Sequence, residues 1–91
     1  MDFYSQTSSN ASKLSPTERN ILNYVVKNMH IVKEMSIRDL AKETYVSTTT
    51  LFRFVKKLGY EGFTEFVAAV RETEKESRKI HIPSIVHDDN Y

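Results

Sequence analysis

Apolar residues recur at helical rather than strand spacing along most of this chain. Four stretches place apolar side chains three and four residues apart, which is the period of one face of an α-helix. We predict helices over residues 16–29, 37–44, 47–58 and 63–78. Only two Gly and two Pro occur among 91 residues, which leaves few points at which strands could turn. The pattern therefore predicts an all-α domain of about four to five helices.

Polar residues mark where three of these helices begin and where one ends. A serine that precedes a helix can accept a hydrogen bond from the backbone N–H three residues later, and an acidic residue there can return it. The predicted caps are Ser15 with Glu18, Ser36 with Asp39, and Ser47. Gly59 follows the third helix and suits the left-handed conformation that often terminates a helix.

The same pattern divides the chain into three parts. Residues 1–13 are polar with little periodicity, and we expect a flexible N-terminal tail in which Phe3 and Tyr4 form a small apolar pair. Residues 14–79 carry the helical pattern and form the domain. Residues 80–91 contain Pro83 and end in acidic residues, and we expect a linker there.

The spacing between the second and third predicted helices is typical of a helix-turn-helix. Ala41 is small enough to allow a close crossing of the two helices, and Val46 can fill the wedge between them. Ser47 caps the third helix, while Leu51 and Phe54 hold it against the core. The opposite side of that helix then faces outward, as a DNA recognition helix does.

The turn itself contains an unusual residue. Position 45 is glycine in many helix-turn-helix sequences, because the turn requires a positive φ, and it is tyrosine here. A bulky residue is strained in that conformation. Either the turn is displaced, or packing of Tyr45 offsets the strain.

Composition narrows the class of protein further. The chain has no Cys and a net charge of +1, so disulfides and thiolate metal sites are excluded. The charge is uneven: residues 30–60 hold six Lys and Arg against three acids, whereas residues 61–91 hold four against seven. No apolar run is long enough to span a membrane, and none forms a signal peptide. We expect a cytoplasmic protein whose basic middle section faces nucleic acid.

The candidate DNA-binding residues lie on the second and third predicted helices. Arg and Lys can bind phosphates or base edges, and Ser and Thr can bind either. The predicted set is Arg38, Lys42, Ser47, Thr48, Thr49, Arg53, Lys56 and Lys57. Phe52 also lies on the exposed face, where it could pack on the last helix, contact a thymine methyl group or touch a partner chain.

Several segments together resemble the helix-turn-helix of the RpiR family of bacterial transcription regulators. They are LSPTER at 14–19, Leu40-Ala41, VSTTTLFRF at 46–54 and KLGYEGF at 57–63, and the resemblance covers roughly residues 14–75. It implies a regulator of sugar-metabolism genes that binds double-stranded DNA. Because one domain supplies one recognition helix and two half-sites need two, we expect a homodimer of the full-length regulator. The resemblance also implies a phosphosugar effector, bound by a C-terminal domain that is absent from these residues and to which residues 80–91 would lead.

Two other classes of function compete with DNA binding. A protein–protein interaction module could reuse the same fold, and the net charge of +1 is low for a protein that binds nucleic acid. An enzyme is disfavoured, because no nucleophile with its base, no paired carboxylates and no phosphate-binding glycine loop occur. His30, His81 and His87 lack metal-ligand spacing, and we expect no metal or cofactor.

Overall fold

A computed structural model describes the backbone of residues 3–85 and the side chains of residues 3–76. The described residues form six α-helices and one 3-10 turn, and no strand. The helices are α1 (Phe3–Asn10), α2 (Pro16–Lys27), α3 (Met29–Val32), α4 (Ile37–Glu43), α5 (Thr48–Lys57) and α6 (Phe63–Ile85), and the 3-10 turn covers Ala11–Lys13. The all-α prediction is therefore confirmed.

The predicted caps form as the sequence indicated. The side chain of Ser15 accepts from the N–H of Glu18, whose carboxylate accepts from the N–H of Ser15. Ser36 and Asp39 make the same reciprocal pair, and the Ser47 hydroxyl accepts from the N–H of Thr50 at 3.0 Å. These bonds satisfy backbone donors that helix starts otherwise leave unpaired, and they fix where α2, α4 and α5 begin.

The core is formed by the inward faces of all six helices. Phe66 of α6 lies at its centre and meets the ring of Phe54 edge-on, with centroids 5.8 Å apart. Among the described side chains, fifteen buried apolar residues form one cluster, which includes Ala41 of α4. Val26 of α2 lies outside this cluster and is 42% exposed. From α5 the core includes Leu51, Phe54 and Val55, which lie on one side of the helix. The opposite side of α5 remains exposed.

The prediction of a flexible tail over residues 1–13 is wrong for the part that the structure describes. Residues 3–10 form α1, and Phe3 is fully buried with its ring 6.0 Å from that of Phe66. Asn10 at the end of α1 donates to the carbonyl of Leu58 at 3.2 Å. The segment has little intrinsic helical signal, because it is rich in Ser, Thr and Asn. One buried aromatic residue and this tertiary contact hold it in place.

The C-terminal boundary also differs from the prediction. Helix α6 continues through residues 80–85, where a linker was expected. Residues 86–91 of that predicted linker lie outside the described part of the chain. Helix α6 still contacts the rest of the domain near residue 74, because Thr73 is buried and Glu74 binds Lys33 at 3.0 Å.

Candidate nucleic-acid interface

Helix α5 presents a basic and hydroxyl-rich face to solvent. Its buried side consists of Leu51, Phe54 and Val55. At 100° per residue, the opposite side carries Thr49, Phe52, Arg53 and Lys56, all of which are exposed. This face contains no carboxylate. It therefore offers donors, cations and one aromatic ring, the combination that suits a polyanion with readable base edges.

Helix α4 adds two further exposed cations, one of which lies beside the start of α5. Arg38 and Lys42 are four residues apart, so they lie on the same side of α4, and both are exposed. Arg38 lines a shallow groove between the N-terminal halves of α4 and α5, which it shares with Ile37, Thr48, Thr49 and Phe52. The structure thus brings Arg38 together with the first turn of α5.

The start of α5 points outward with its cap complete. Ser47 accepts from the N–H of Thr50, and its own hydroxyl donates to the Thr50 hydroxyl at 3.0 Å. The predicted capping role of Ser47 is therefore confirmed. Thr48 and Thr49 follow it and are exposed, so the positive end of the helix dipole and two hydroxyls face solvent together.

Lys57 stands apart from the other predicted site residues. Its ammonium binds the carboxylate of Glu18 at 2.8 Å and also lies 3.4 Å from the carbonyl oxygen of Lys13. Burial raises the pKa of Glu18, but the hydrogen bonds from Lys57 and Ser15 outweigh it and leave that pKa below its ordinary value. Lys57 therefore joins α5 to α2, whereas its neighbour Lys56 remains on the exposed face.

The ammonium of Lys56 makes two long contacts. It lies 5.8 Å from the centre of the Phe52 ring and 3.4 Å from the carbonyl oxygen of Glu61. Neither contact involves a carboxylate, so the charge of Lys56 is not neutralised by either. The two adjacent lysines thus differ sharply in their partners, which the sequence alone did not reveal.

The turn between α4 and α5 is a Schellman motif with tyrosine in the glycine position. The N–H of Val46 bonds to the carbonyl of Ala41, and the N–H of Tyr45 to that of Lys42. Tyr45 has φ +60° and is 94% exposed. Of the two alternatives raised by the sequence, neither holds: the turn is in place, and almost no packing offsets the strain.

The same motif recurs at the end of α5, where glycine occupies the position. The N–H of Gly59 bonds to the carbonyl of Lys56, and the N–H of Tyr60 to that of Val55. Gly59 has φ +100°, and a Cβ there would collide with the Gln6 amide of α1. The predicted left-handed stop is confirmed, and it also makes room for α1.

The described residues contain no cluster of potential metal ligands. Among the described residues, no three His, Asp or Glu side chains lie close enough to hold a metal ion. In the same part of the chain, no helix is both long and apolar enough to cross a bilayer. The candidate functional site is therefore the basic, exposed surface formed by α4 and α5.

Comparison with known proteins identifies regulators with similar sequences. The chain is 30% identical over 71 residues to the uncharacterized HTH-type transcriptional regulator TTE0211 of Caldanaerobacter subterraneus, covering 77% of this chain and 25% of that protein. It is 36% identical over 55 residues to the HTH-type transcriptional regulator GlvR of Bacillus subtilis, covering 60% and 22% respectively. The chain thus spans about a quarter of the length of these relatives.

A solved structure and a family model agree with these relatives. The Vibrio vulnificus NanR protein, determined in complex with ManNAc-6P, superposes with a TM-score of 0.72 at 27% identity, covering 93% of this chain and 33% of that one. The model described as "Helix-turn-helix domain, rpiR family" matches residues 1–77, which include α1. The chain therefore belongs to the rpiR family of helix-turn-helix domains, and it is a DNA-binding regulatory domain.

Proposed function

We propose that this domain recognises a specific DNA sequence by inserting α5 into the major groove. The observation that carries the proposal is the exposed face of α5, which holds Arg53 and Lys56 and no carboxylate. The major groove admits a helix and presents a distinct pattern of donors and acceptors for each base pair. Arg53 lies in the middle of that face, and we assign it to base readout.

The remaining site residues position the helix. We assign Arg38, Lys42 and Lys56 to phosphate contacts, and Ser47 with Thr48 and Thr49 to contacts at the start of α5. Lys57 is left out of the DNA-contacting set, because its ammonium is engaged by Glu18. This assignment revises the sequence-based expectation for one of its eight residues.

The proposal also covers the full-length regulator to which this domain would belong. Because a single domain supplies one recognition helix, a homodimer would read two half-sites about one helical turn apart. The relation to NanR, which was solved with ManNAc-6P, supports control of sugar-metabolism genes by a phosphosugar effector. That effector would bind a domain outside these 91 residues, and the regulator would act in the cytoplasm.

Selection from a pool of random DNA duplexes tests the proposal. The 91-residue chain should enrich one sequence, and binding to it should weaken steeply as salt rises, because phosphate contacts release counterions. Lys56→Ala should flatten the plot of log affinity against log salt by about one unit of slope. Lys57→Ala is the matched control, since it removes an adjacent lysine of equal charge, and it should leave that slope nearly unchanged.

The same experiment distinguishes DNA binding from the alternative function, which is a protein–protein interaction module. If no sequence is enriched and binding shows no salt dependence, the face of α5 serves a protein partner instead. If Lys57→Ala flattens the salt dependence as much as Lys56→Ala, the division of the two lysines between structure and DNA is wrong.

A further inference from the structure

The groove between the N-terminal halves of α4 and α5 exposes an aromatic ring. Phe52 is 46% exposed and lines this groove with Ile37, Arg38, Thr48 and Thr49. The core is complete without it, because Leu51, Phe54 and Val55 already fill the buried side of α5. The exposed part of an aromatic ring forgoes the stabilisation that burial would give it. The core formed by the described residues therefore does not require an aromatic ring at position 52.

The surroundings of Phe52 indicate what could cover it. The ammonium of Lys56 lies 5.8 Å from the ring centre, and Arg38 lines the same groove as the ring. Among the described residues, no carboxylate lines the groove. An apolar patch accompanied by two cations matches a polyanion that carries an apolar group at its surface, rather than an uncharged or basic protein face.

Duplex DNA carries one such group in its major groove. Among the base-edge groups there, the C5-methyl of thymine is apolar, whereas the others are hydrogen-bond donors and acceptors. Side chains such as Phe and the methyl of Thr contact it without hydrogen bonds. A base edge that approaches the first turns of α5 would meet Phe52 and Ile37 together.

We propose that Phe52 and Ile37 form an apolar contact surface for a thymine methyl group, so that each domain selects thymine at one base pair of the sequence that it reads. The proposal rests on the proposed function, because it requires α5 to lie in the major groove. It adds a second kind of readout to that of Arg53. Arg53 would distinguish bases by hydrogen bonds, whereas Phe52 would distinguish thymine by a single methyl group.

Uracil substitution isolates that methyl group. In the duplex recovered by selection, each thymine is replaced singly by deoxyuridine, which keeps the base pair and removes only the C5-methyl. For the parent chain, substitution at one position for each bound domain should weaken binding by on the order of four-fold, the loss of about one buried methyl group. All other positions should be neutral.

Variants of the chain then show which side chain holds the methyl. Phe52→Ala should bind the thymine duplex more weakly than the parent does, and it should no longer distinguish thymine from uracil at that position. Phe52→Leu should retain part of the distinction, because it keeps an apolar side chain. Val26→Ala is the matched control: Val26 is 42% exposed on α2, and its removal should leave the distinction intact. Melting curves establish that each variant folds.

Three results would overturn the inference. They are a selected site without thymine, a parent chain indifferent to every uracil substitution, and a Phe52→Ala variant that keeps the full loss. Failure to select any sequence would instead overturn the proposed function, and this inference with it. The two failures are therefore distinguishable.

Discussion

Replacing Tyr45 by glycine should stabilise this domain. Tyr45 occupies the left-handed position of the Schellman motif that ends α4, with φ +60°. An L-residue in that region brings its Cβ too close to the following carbonyl oxygen, whereas glycine has no Cβ. The ring is 94% exposed, so its removal forfeits almost no buried surface. Strain is thus the main native-state difference between the two residues.

The magnitude follows from two opposing effects. A left-handed conformation costs an L-residue about 1–2 kcal/mol. Glycine loses about 0.5–1 kcal/mol more conformational entropy than other residues when the chain folds. The difference is a gain of about 0.5–1 kcal/mol in the free energy of unfolding, which for a domain of this size raises Tm by roughly 2–8 °C.

Thermal and denaturant unfolding of three variants test this reasoning. Tyr45→Gly should raise Tm, while Tyr45→Ala should leave it near that of the parent, because alanine keeps the Cβ that causes the strain. Gly59→Ala is the mirror experiment at the other Schellman motif, where φ is +100°, and it should lower Tm. A lower Tm for Tyr45→Gly would refute the argument and show that the tyrosine ring stabilises the turn.

Three further substitutions test how the scaffold holds α5. Ala41→Leu should overpack the crossing of α4 and α5 and lower the free energy of unfolding by about 1–3 kcal/mol, and an unchanged Tm would contradict the helix-turn-helix register. Phe3→Ala should lower it by about 3–5 kcal/mol, because Phe3 is fully buried; a negligible change by denaturant unfolding would mean that α1 is not part of the core. Lys57→Ala should lower it by about 1 kcal/mol at neutral pH. Since the pKa of Glu18 is lowered in the folded state, this ion pair stabilises the domain above the unfolded pKa of glutamate and less as pH falls through the folded value. The difference between parent and Lys57→Ala should therefore shrink as the pH falls below the ordinary pKa of glutamate and through the lowered pKa of Glu18, and a constant difference would contradict the pairing.

Local signals in the sequence were sufficient to predict most of the central fold. Capping residues and apolar periodicity depend on neighbours within a few positions, so α2, α4 and α5 begin where Ser15, Ser36 and Ser47 indicated. Glycine at position 59 likewise predicted the end of α5, because its conformational freedom is a local property.

Contacts distant in the sequence could not be predicted in the same way. Helix α1 has no periodic apolar stripe, and it depends on burial of Phe3 against α6 and on the bond from Asn10 to Leu58. The pairing of Lys57 with Glu18 spans 39 residues. Spacing alone placed Lys57 beside Lys56 at the end of the helix, and only the packing of α2 against α5 distinguishes their roles.

The most direct test of DNA recognition by α5 is the affinity of Arg53→Ala for two duplexes. One is the selected sequence, and the other is a scrambled duplex of the same composition. If Arg53 reads a base, the variant should lose about 1–3 kcal/mol of binding free energy on the selected duplex and much less on the scrambled one, because non-specific binding depends mainly on phosphates. Equal losses on both duplexes, or no loss on either, from a variant that melts like the parent would contradict base readout by this helix.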